Sequence, residues 1–480
     1  MNYRMVFHII GRVAMLESAL LLLPLLVSIY YGESCVWSFL WAIAVALLLG
    51  GVLTLISRPK NRGVFAREGF AIVALGWLLL SFVGALPFYL SGAIPHYVDA
   101  LFETVSGFTT TGASILPNVE LLPRGILFWR SFTHWVGGMG VLVLVMVIVS
   151  RSPDRSMNIL KAEMPGPVVG KLVPRAKDTS RILYLIYFGM TVLEIVLLRL
   201  GGMPLYDSFV HAFGTAGTGG FGIKADSIAS YSPYLQWVIT AFMLLFGVNF
   251  NLFFLLLLRR WREAFRSTEL RTYGAVIVAS IAIITCNIYH LCSSFAESLR
   301  LAAFQVASIA TTTGYATTDF NLWPGLSKAI LFLLMLMGAC AGSTAGGLKV
   351  SRVVILWQLM RQEVRHIIHP RAVSAVRYEG KALDNETLRN TAVYFALYFT
   401  CMIGTFLLIS WEPFGFETNF TAAATCFNNV GPGFAMVGPS GNFAAFSPVS
   451  KLVLAFAMLL GRLEIFPMLL VLSPATWRRK

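Results

Sequence analysis

Four short polar loops, each centred on a glycine, contain the residues of this chain best suited to bind an ion. The loops read Thr109-Thr110-Thr111-Gly112, Ala216-Gly217-Thr218-Gly219, Thr311-Thr312-Thr313-Gly314 and Asn428-Asn429-Val430-Gly431, and their last glycines are 107, 95 and 117 residues apart. Backbone carbonyl groups and Thr hydroxyls are oxygen dipoles that can replace the water around a dehydrated cation. Carboxylates, which a calcium or magnesium path would need, are missing from all four loops. Four such loops around one axis would form a selectivity filter for a monovalent cation, potassium or sodium.

The composition indicates what surrounds these loops. The chain has 480 residues, of which 57% are hydrophobic and 12% are charged, whereas a soluble domain has about 25% charged residues. Uncharged runs such as 70–90 and 235–258 are long enough to cross a hydrocarbon core of about 30 Å. The sequence therefore predicts an all-α polytopic membrane protein. Irregular polar backbone is tolerated at membrane depth only where it is enclosed by protein or lines a cavity.

The distribution of charge predicts the topology. The formal net charge is +14, and the basic residues cluster in 58–67, 151–181, 259–271, 352–389 and 478–480. The segments that contain the glycine loops have few Lys and Arg residues. By the positive-inside rule, we expect the basic loops and both termini to be cytoplasmic, with the glycine loops opening outward. This one-sided pattern argues against nucleic acid as a partner.

The order of apolar segments predicts two lead helices followed by four repeats, with ten membrane crossings in total. Each repeat contains a helix, a re-entrant half-helix, a glycine loop and a second helix. The half-helices are expected at 98–109, 206–216, 297–310 and 417–427. The predicted divisions are 1–66 for the lead helices, then 67–150, 151–258, 259–365 and 366–480 for the repeats.

A break in the second helix of the third repeat is the first candidate for a gate. As one helix, 324–365 would be about 63 Å long, twice what a bilayer core requires. The segment 339–347 is rich in Gly and Ala, and we expect a loop there. The hypothesis is that this loop lies below the filter and closes the pore, and a static kink is the alternative. The candidate gate residues are Gly342, Ser343, Thr344, Gly346, Gly347 and Lys349.

Arg462 is the second candidate for a gate. It lies in the last apolar helix near membrane depth, where a charge is costly and usually faces water or a partner. Glu464 is two residues further on and cannot share its helical face. We expect Arg462 to form a positive barrier below the filter, and a structural ion pair is the alternative.

Several of these motifs resemble one known family. They are Phe-Thr-Thr-Thr-Gly at 108–112, Thr-Gly-Gly-Phe at 218–221, Thr-Thr-Thr-Gly-Tyr at 311–315, Asn-Asn-Val-Gly-Pro-Gly at 428–433, Ala-Gly-Ser-Thr-Ala-Gly-Gly-Leu-Lys at 341–349 and Gly-Arg-Leu-Glu at 461–464. The chain resembles the membrane subunit of bacterial Trk potassium-uptake systems, in the Trk/Ktr/HKT superfamily. Its length and two lead helices resemble the TrkH branch.

The resemblance implies a pseudo-fourfold pore within one subunit of a homodimer in the bacterial inner membrane. It also implies gating by a cytosolic TrkA-type ring that binds nucleotides, for which 151–181 and 352–389 are candidate docking surfaces. Gly112 favours potassium, because plant relatives with serine there prefer sodium. The second loop departs from the pattern, since Gly217 stands where a bulkier residue is expected. The implied potassium ligands are Thr110, Thr111, Gly112, Gly217, Thr218, Gly219, Thr312, Thr313, Gly314, Asn429, Val430 and Gly431.

Two other functions were compared with a gated pore. A secondary carrier that couples potassium to protons or sodium is the nearest alternative, with Glu194 as the main candidate for a proton relay. Carriers usually contain inverted repeats, whereas these repeats share one orientation. An enzyme is disfavoured because the histidines are dispersed, and only His366 and His369 have the helical spacing of a metal pair. No cofactor is expected, and potassium is the permeant ion.

Overall fold

A computed structural model describes residues 1–59, 66–140, 176–371 and 375–477. Over these ranges the fold is helical, apart from one two-stranded hairpin and the connecting loops. The end of the predicted helix 124–149, most of the predicted docking segment 151–181 and the basic tail 478–480 lie outside the described residues.

Two lead helices precede the repeats. The first is divided into Tyr3–Leu20 and Leu22–Tyr30, and the second is Val36–Ile56. The lead helices cross with little space between their backbones, because a Cβ placed on Gly50 would lie 2.7 Å from the carbonyl oxygen of Gly11. Small residues of this kind allow two membrane helices to pack closely.

Each repeat begins with a long helix, here called its first helix, followed by a short helix that leads into a glycine loop. The first helices are Ala66–Gly84 (extended by Leu86–Leu90), Ala176–Leu200, Thr268–Ile288 and Asn385–Ile409. The short helices are Tyr97–Phe108, Leu205–Gly217, Phe295–Ala310 and Phe416–Asn428. Each short helix has an acid in its first turn, where a helix N-terminus favours negative charge. Their partially negative C-terminal ends therefore meet the glycine loops.

Three of the second helices are interrupted within the described residues, and that of the first repeat is described only as far as Gly138. The second helices comprise Arg124–Gly138, then Pro233–Phe246 with Phe250–Leu257, Gly325–Met337 with Val350–Ile368, and Pro448–Arg462 with Phe466–Leu472. The two halves of the second repeat's helix are bent by 93°. In the third repeat residues 338–349 are not helical, and we call this segment the intramembrane loop.

Six helices among the described residues are long and apolar enough to cross a membrane, or seven if the bent pair is one span. The six are Tyr3–Tyr30, Val36–Ile56, Arg67–Leu90, Ser180–Leu200, Thr268–Leu291 and Asn385–Ile409. The sequence predicted ten crossings. The described count is lower because three second helices consist of shorter pieces and the predicted helix 124–149 lies partly outside the described residues. On Val36–Ile56, large apolar residues such as Trp37 and Ile56 are more than two-thirds exposed, as expected of a surface that faces lipid.

Smaller elements connect the main helices or lie at the C-terminal end of the fold. They are the helices Trp261–Arg266 and Pro474–Trp477, the 3-10 turns Tyr289–Leu291, Phe320–Leu322 and Ala435–Val437, and a hairpin with strands Arg377–Tyr378 and Lys381–Ala382. The hairpin turn consists of Glu379 and Gly380, whose φ values are 49° and 75°. Two positive φ values in a two-residue turn are typical of a type I′ hairpin.

Candidate ion-binding site

The four short helices end in the same backbone turn. Thr110, Thr218, Thr312 and Asn429 adopt left-handed φ values of 56°, 56°, 55° and 56°. Two positions later each loop has a glycine with positive φ, namely Gly112 (78°), Gly220 (77°), Gly314 (83°) and Gly431 (98°). A left-handed threonine is uncommon and strained. Its recurrence at equivalent positions shows that the surrounding structure imposes this turn on all four loops.

The structure shifts the predicted register of the second loop by one residue. The sequence pattern placed the loop glycine at Gly219, whereas the left-handed position is Thr218 and the positive-φ glycine is Gly220. Gly217 then belongs to the end of the short helix, where an added Cβ would overlap His134. The absence of a bulky residue at Gly217 is thus explained by close packing. The equivalent residues of this loop are Thr218, Gly219 and Gly220.

Equivalent hydrogen bonds fix each turn to its short helix. In every loop the amide after the left-handed residue donates to the carbonyl five residues earlier. These bonds are Thr111 to Ser106 (2.8 Å), Gly219 to Gly214 (2.8 Å), Thr313 to Ser308 (2.8 Å) and Val430 to Thr425 (3.1 Å). These four amide groups are therefore used within each repeat. Across the described ranges, no hydrogen bond ends on the carbonyl oxygens of Thr111, Gly219, Thr313 or Val430.

The same four carbonyl oxygens join the loops into a closed ring. A Cβ added to Gly112, Gly220 or Gly314 would overlap the carbonyl oxygen of Gly219, Thr313 or Val430 respectively, and a Cβ on Gly431 would lie 2.8 Å from that of Thr111. Each loop glycine thus contacts the next loop, and the fourth returns to the first. We call this arrangement the carbonyl ring. It has no space for a side chain at its glycines.

Two side-chain oxygens next to the carbonyl ring also lack protein partners. Thr110 Oγ1 and Asn429 Oδ1 are buried, and neither has a hydrogen-bond partner among the described residues. Buried polar atoms normally have such a partner. The ring and its base therefore provide oxygen acceptors with no carboxylate among them, which is the ligand chemistry of a monovalent cation path.

Side chains behind the carbonyl ring tie neighbouring loops together. His134 Nδ1 lies 2.7 Å from the Gly107 carbonyl oxygen, and His134 Nε2 accepts the Phe221 amide at 3.2 Å. Because Nε2 accepts a hydrogen bond, the proton is on Nδ1 and the imidazole is neutral. His134 therefore joins the short helix of the first repeat to the residue that follows Gly220 in the second loop. Its dispersed position in the sequence gave no indication of this role.

Polar contacts of the same kind join the other loops. The Tyr315 hydroxyl lies within hydrogen-bond distance of two carbonyl oxygens, those of His211 (3.2 Å) and Phe221 (3.3 Å), and its single proton is shared between them. Asn429 Nδ2 donates to Thr111 Oγ1 at 2.9 Å, which joins the fourth loop to the first. The ring is thus supported by hydrogen bonds between repeats.

The intramembrane loop lies directly against the carbonyl ring. The Gly346 amide donates to Thr312 Oγ1 at 2.7 Å, and a Cβ on Gly346 would overlap the carbonyl oxygen of Asn428. Thr344 Oγ1 donates to the carbonyl of Phe246 at 3.3 Å. Lys349, also buried, donates from its ammonium group to the carbonyl of Ala345. The loop is therefore held by polar contacts to its neighbours.

Arg462 bridges the intramembrane loop to the first repeat. One guanidinium nitrogen donates to the Thr344 carbonyl at 2.6 Å, and the other to the Gly137 and Gly138 carbonyls at 2.6 and 2.7 Å. Gly137 and Gly138 end the helix Arg124–Gly138, and a helix C-terminus favours a cation. Arg462 thus joins two repeats across the space below the carbonyl ring.

Glu464 is engaged elsewhere, as its position on the helix predicts. It forms a bidentate ion pair with Arg352, with distances of 2.9 and 2.7 Å. The Arg352 guanidinium also lies 3.9 Å from the centre of the Tyr394 ring. The cationic partner of Glu464 is therefore Arg352 and not Arg462.

A cavity below the carbonyl ring brings the gate candidates together. All four repeats contribute to its lining, for example through Gly138, Phe250, Gly346 and Arg462. Six of the seven predicted gate residues line it, namely Gly342, Ser343, Gly346, Gly347, Lys349 and Arg462. The seventh, Thr344, is next to the cavity, because its carbonyl oxygen accepts a hydrogen bond from Arg462.

Two acids of the short helix Tyr97–Phe108 form ion pairs. Glu103 is fully buried and pairs with Arg130 at 2.6 Å, while Asp99 pairs with Lys451 at 2.7 Å. The Arg130 guanidinium also lies 3.5 Å from the centre of the Phe221 ring. Among the described residues, no group of three or more His, Cys, Asp or Glu side chains could hold a metal ion.

Comparison with known proteins identifies the family. The family TrkH, described as cation transport protein, matches residues 37–478. The Trk system potassium uptake protein TrkH of Salmonella typhimurium LT2 is 36% identical over 485 residues, covering 100% of both chains. TrkG of Escherichia coli K12 is 34% identical over 486 residues, with 99% of each chain covered. The crystal structure of the potassium transporter TrkH from Vibrio parahaemolyticus covers 100% of both chains with 31% identity and a TM-score of 0.90. The chain therefore belongs to the TrkH family of membrane cation transport proteins.

Proposed function

We propose that this protein takes up potassium across the bacterial inner membrane, with the carbonyl ring as its selectivity filter. The observation that carries the proposal is the closed ring itself: four carbonyl oxygens, one from each loop, with no hydrogen bond ending on them in the described residues. A dehydrated monovalent cation needs several such dipoles. The relatives TrkH of Salmonella typhimurium and TrkG of Escherichia coli are named as potassium uptake proteins, which favours potassium over sodium.

In this proposal the ligands are the carbonyl oxygens of the four loops. Most of the candidates from the sequence remain, and in the second loop they are Thr218, Gly219 and Gly220. The others are Thr110, Thr111, Gly112, Thr312, Thr313, Gly314, Asn429, Val430 and Gly431. The partly negative C-terminal ends of the short helices add a field that favours a cation in the ring.

The intramembrane loop and Arg462 form the gate in this proposal. The loop packs against the carbonyl ring through Gly346, and Arg462 holds the loop to the first repeat. A cation that leaves the ring would meet the guanidinium before it reaches the cytosol. Opening requires that the loop and Arg462 move apart. We further propose that a cytosolic nucleotide-binding subunit of the TrkA type drives this movement, and that the working form is a homodimer with cytoplasmic termini.

The filter assignment is tested by substituting Gly112 with serine. A left-handed non-glycine residue costs about 1–2 kcal/mol, and the new Cβ would overlap the Gly219 carbonyl oxygen. The carbonyl ring must therefore deform. Weakening potassium binding by about 1.4 kcal/mol would change its affinity about tenfold. We expect Gly112→Ser to reduce the preference for potassium over sodium, measured as ⁸⁶Rb⁺ uptake into proteoliposomes with Na⁺ and Li⁺ as competitors.

Gly92→Ser is the matched control. Gly92 also has a positive φ, of 73°, but nothing lies within 4 Å of an added Cβ. The two variants therefore share the backbone strain and differ in contact with the carbonyl ring. If Gly112→Ser and Gly92→Ser discriminate equally well between potassium and sodium, the loop at Gly112 is not the filter.

A carrier remains the second candidate because of one observation. Glu194 is fully buried in the first helix of the second repeat, next to Thr215 on the neighbouring short helix. A buried carboxyl group at membrane depth is a candidate for proton transfer. Recording in planar bilayers separates the two functions, since unitary currents indicate a pore and a fixed ratio of ions per cycle indicates a carrier.

A further inference from the structure

The N-terminal turn of the helix Thr268–Ile288 contains a carboxylate that bonds both the intramembrane loop and the helix that follows it. Glu269 is only 3% exposed. Its Oε1 atom accepts the Ala341 amide at 2.7 Å and the Ser351 amide at 3.1 Å. Ala341 lies within the intramembrane loop, and Ser351 is the second residue of the helix that follows it. One oxygen atom therefore links the loop to the start of the helix Val350–Ile368.

Hydrogen bonds to a charged acceptor are stronger than those between neutral groups. The Ser351 amide is one of the first donors of its helix, which have no partner within the helix itself. The Glu269 carboxylate satisfies it and also suits the positive end of the helix dipole. No other side-chain carboxylate of the described chain bonds the backbone of residues 338–351. Glu269 is thus a specific anchor for this loop.

The cytosolic hairpin holds the same helical turn from the other side. Glu379 Oε1 accepts the Ser267 hydroxyl at 2.8 Å and the Glu269 amide at 3.3 Å. Glu379 lies in the hairpin turn, and the hairpin is fixed to the helix Val350–Ile368 by the Arg377 amide, which donates to Gln358 at 3.1 Å. Tyr378 of the hairpin is buried beside Glu269 and Glu379. Burial, followed by the charges of these two carboxylates, raises the pKa of the Tyr378 phenol, so the phenol remains a neutral donor.

These contacts form a continuous path from the cytosolic face to the carbonyl ring. The path runs from the hairpin turn through Glu379 to Glu269, and from Glu269 to Ala341 in the intramembrane loop. The loop in turn donates from Gly346 to Thr312. We propose that Glu269 is a positioning residue that fixes the intramembrane loop, and that the hairpin 376–383 controls the position of Glu269. The inference rests on the proposed role of this loop as the gate.

Cys340 provides a direct readout of the loop, since it precedes Ala341 and is fully buried. We would measure its rate of modification by a thiol reagent in the full-length protein in proteoliposomes, with the labelled site located by peptide mass spectrometry. Glutamine keeps an acceptor oxygen but removes the charge that strengthens both bonds, which loosens the loop, so we expect Glu269→Gln to raise the labelling rate about tenfold. Glu269→Asp retains the charge, so its labelling rate should be slower than that of Glu269→Gln.

Glu379→Asn tests the hairpin separately. Asparagine is well tolerated in a type I′ turn, so the hairpin is retained while the longer carboxylate is lost. We expect a several-fold faster labelling of Cys340. If the two residues act in series, the double variant labels no faster than Glu269→Gln alone, because contacting residues in one network are not additive.

Glu263→Gln is the matched control. Glu263 lies in the short helix Trp261–Arg266, is half-exposed, and pairs with Arg260 at the surface. The substitution Glu263→Gln removes one negative charge, as Glu269→Gln does, and should leave the labelling rate of Cys340 unchanged. An unchanged rate in Glu269→Gln, or an equal rise in Glu263→Gln, would overturn the positioning role. If Glu269→Gln and Glu379→Asn each raise the labelling rate, and the double variant shows the product of the two increases, the two residues do not act in series.

The labelling readout does not depend on which ion is transported. A failure of the inference would therefore leave the potassium selectivity of the Gly112 test unaffected. Conversely, a protein that does not select potassium could still show the Glu269 effect. Glu379→Asn, at the surface, keeps the question open to test even if Glu269→Gln does not fold.

Discussion

The charge of Arg462 should limit the passage of potassium through the cavity. The guanidinium is held by the carbonyls of Thr344, Gly137 and Gly138, with no carboxylate among these three bonds. A potassium ion that passes about 8 Å from the guanidinium would have its electrostatic energy raised by about 2 kcal/mol at an effective dielectric constant of about 20. An energy of that size corresponds to about a thirtyfold reduction in rate.

Two substitutions separate the charge of Arg462 from its hydrogen bonds. Arg462→Gln removes the charge but keeps an amide donor for the carbonyl groups. Arg462→Lys keeps the charge but loses the planar guanidinium that reaches three carbonyls. We expect ⁸⁶Rb⁺ flux to rise about thirtyfold in Arg462→Gln and to stay near the wild-type value in Arg462→Lys.

The flux of these two variants shows whether the charge or the hydrogen bonds of Arg462 limit passage. Equal increases in both would mean that the bonds to Thr344 and the first repeat, rather than the charge, keep the path closed. No increase in either would remove Arg462 from the gate. Because charge repulsion at partly exposed sites is screened by salt, the effect should also weaken as internal ionic strength increases.

Two further substitutions test the gate and the support of the carbonyl ring. Gly346→Ala should increase flux several-fold, because the new methyl group would overlap the Asn428 carbonyl and displace the intramembrane loop. The control Gly404→Ala should have no effect, because nothing lies within 4 Å of an added Cβ at this position in its helix. An unchanged flux in Gly346→Ala would contradict a tightly packed gate. Glu103→Gln should lower the thermal midpoint in detergent, since breaking a buried ion pair costs about 3–5 kcal/mol, and Glu263→Gln at the surface should cost less than about 1 kcal/mol. Similar midpoints for these two carboxylate variants would show that the Glu103–Arg130 pair is dispensable.

The sequence alone determined the class, the family resemblance and the location of the four loops. Long uncharged runs can be stable only in a membrane, and a polar glycine loop between them must be enclosed by protein. Arg462 was recognisable as unusual for the same reason. The short helices were also predictable, because each is too short to cross a bilayer and has an acid near its start.

Only the tertiary structure decided which atoms meet. Two adjacent glycines, Gly219 and Gly220, look alike in sequence, and their roles depend on which one has a neighbouring loop's carbonyl against it. The partners of Arg462 are backbone carbonyls 118 and 325 residues away, and every residue has such a group. The contacts of Glu269 with Ala341 and Ser351 are equally invisible in the chain, because a backbone amide has no sequence pattern. Side-chain patterns therefore reveal the environment of each segment, while contacts to the backbone are set by how the segments pack.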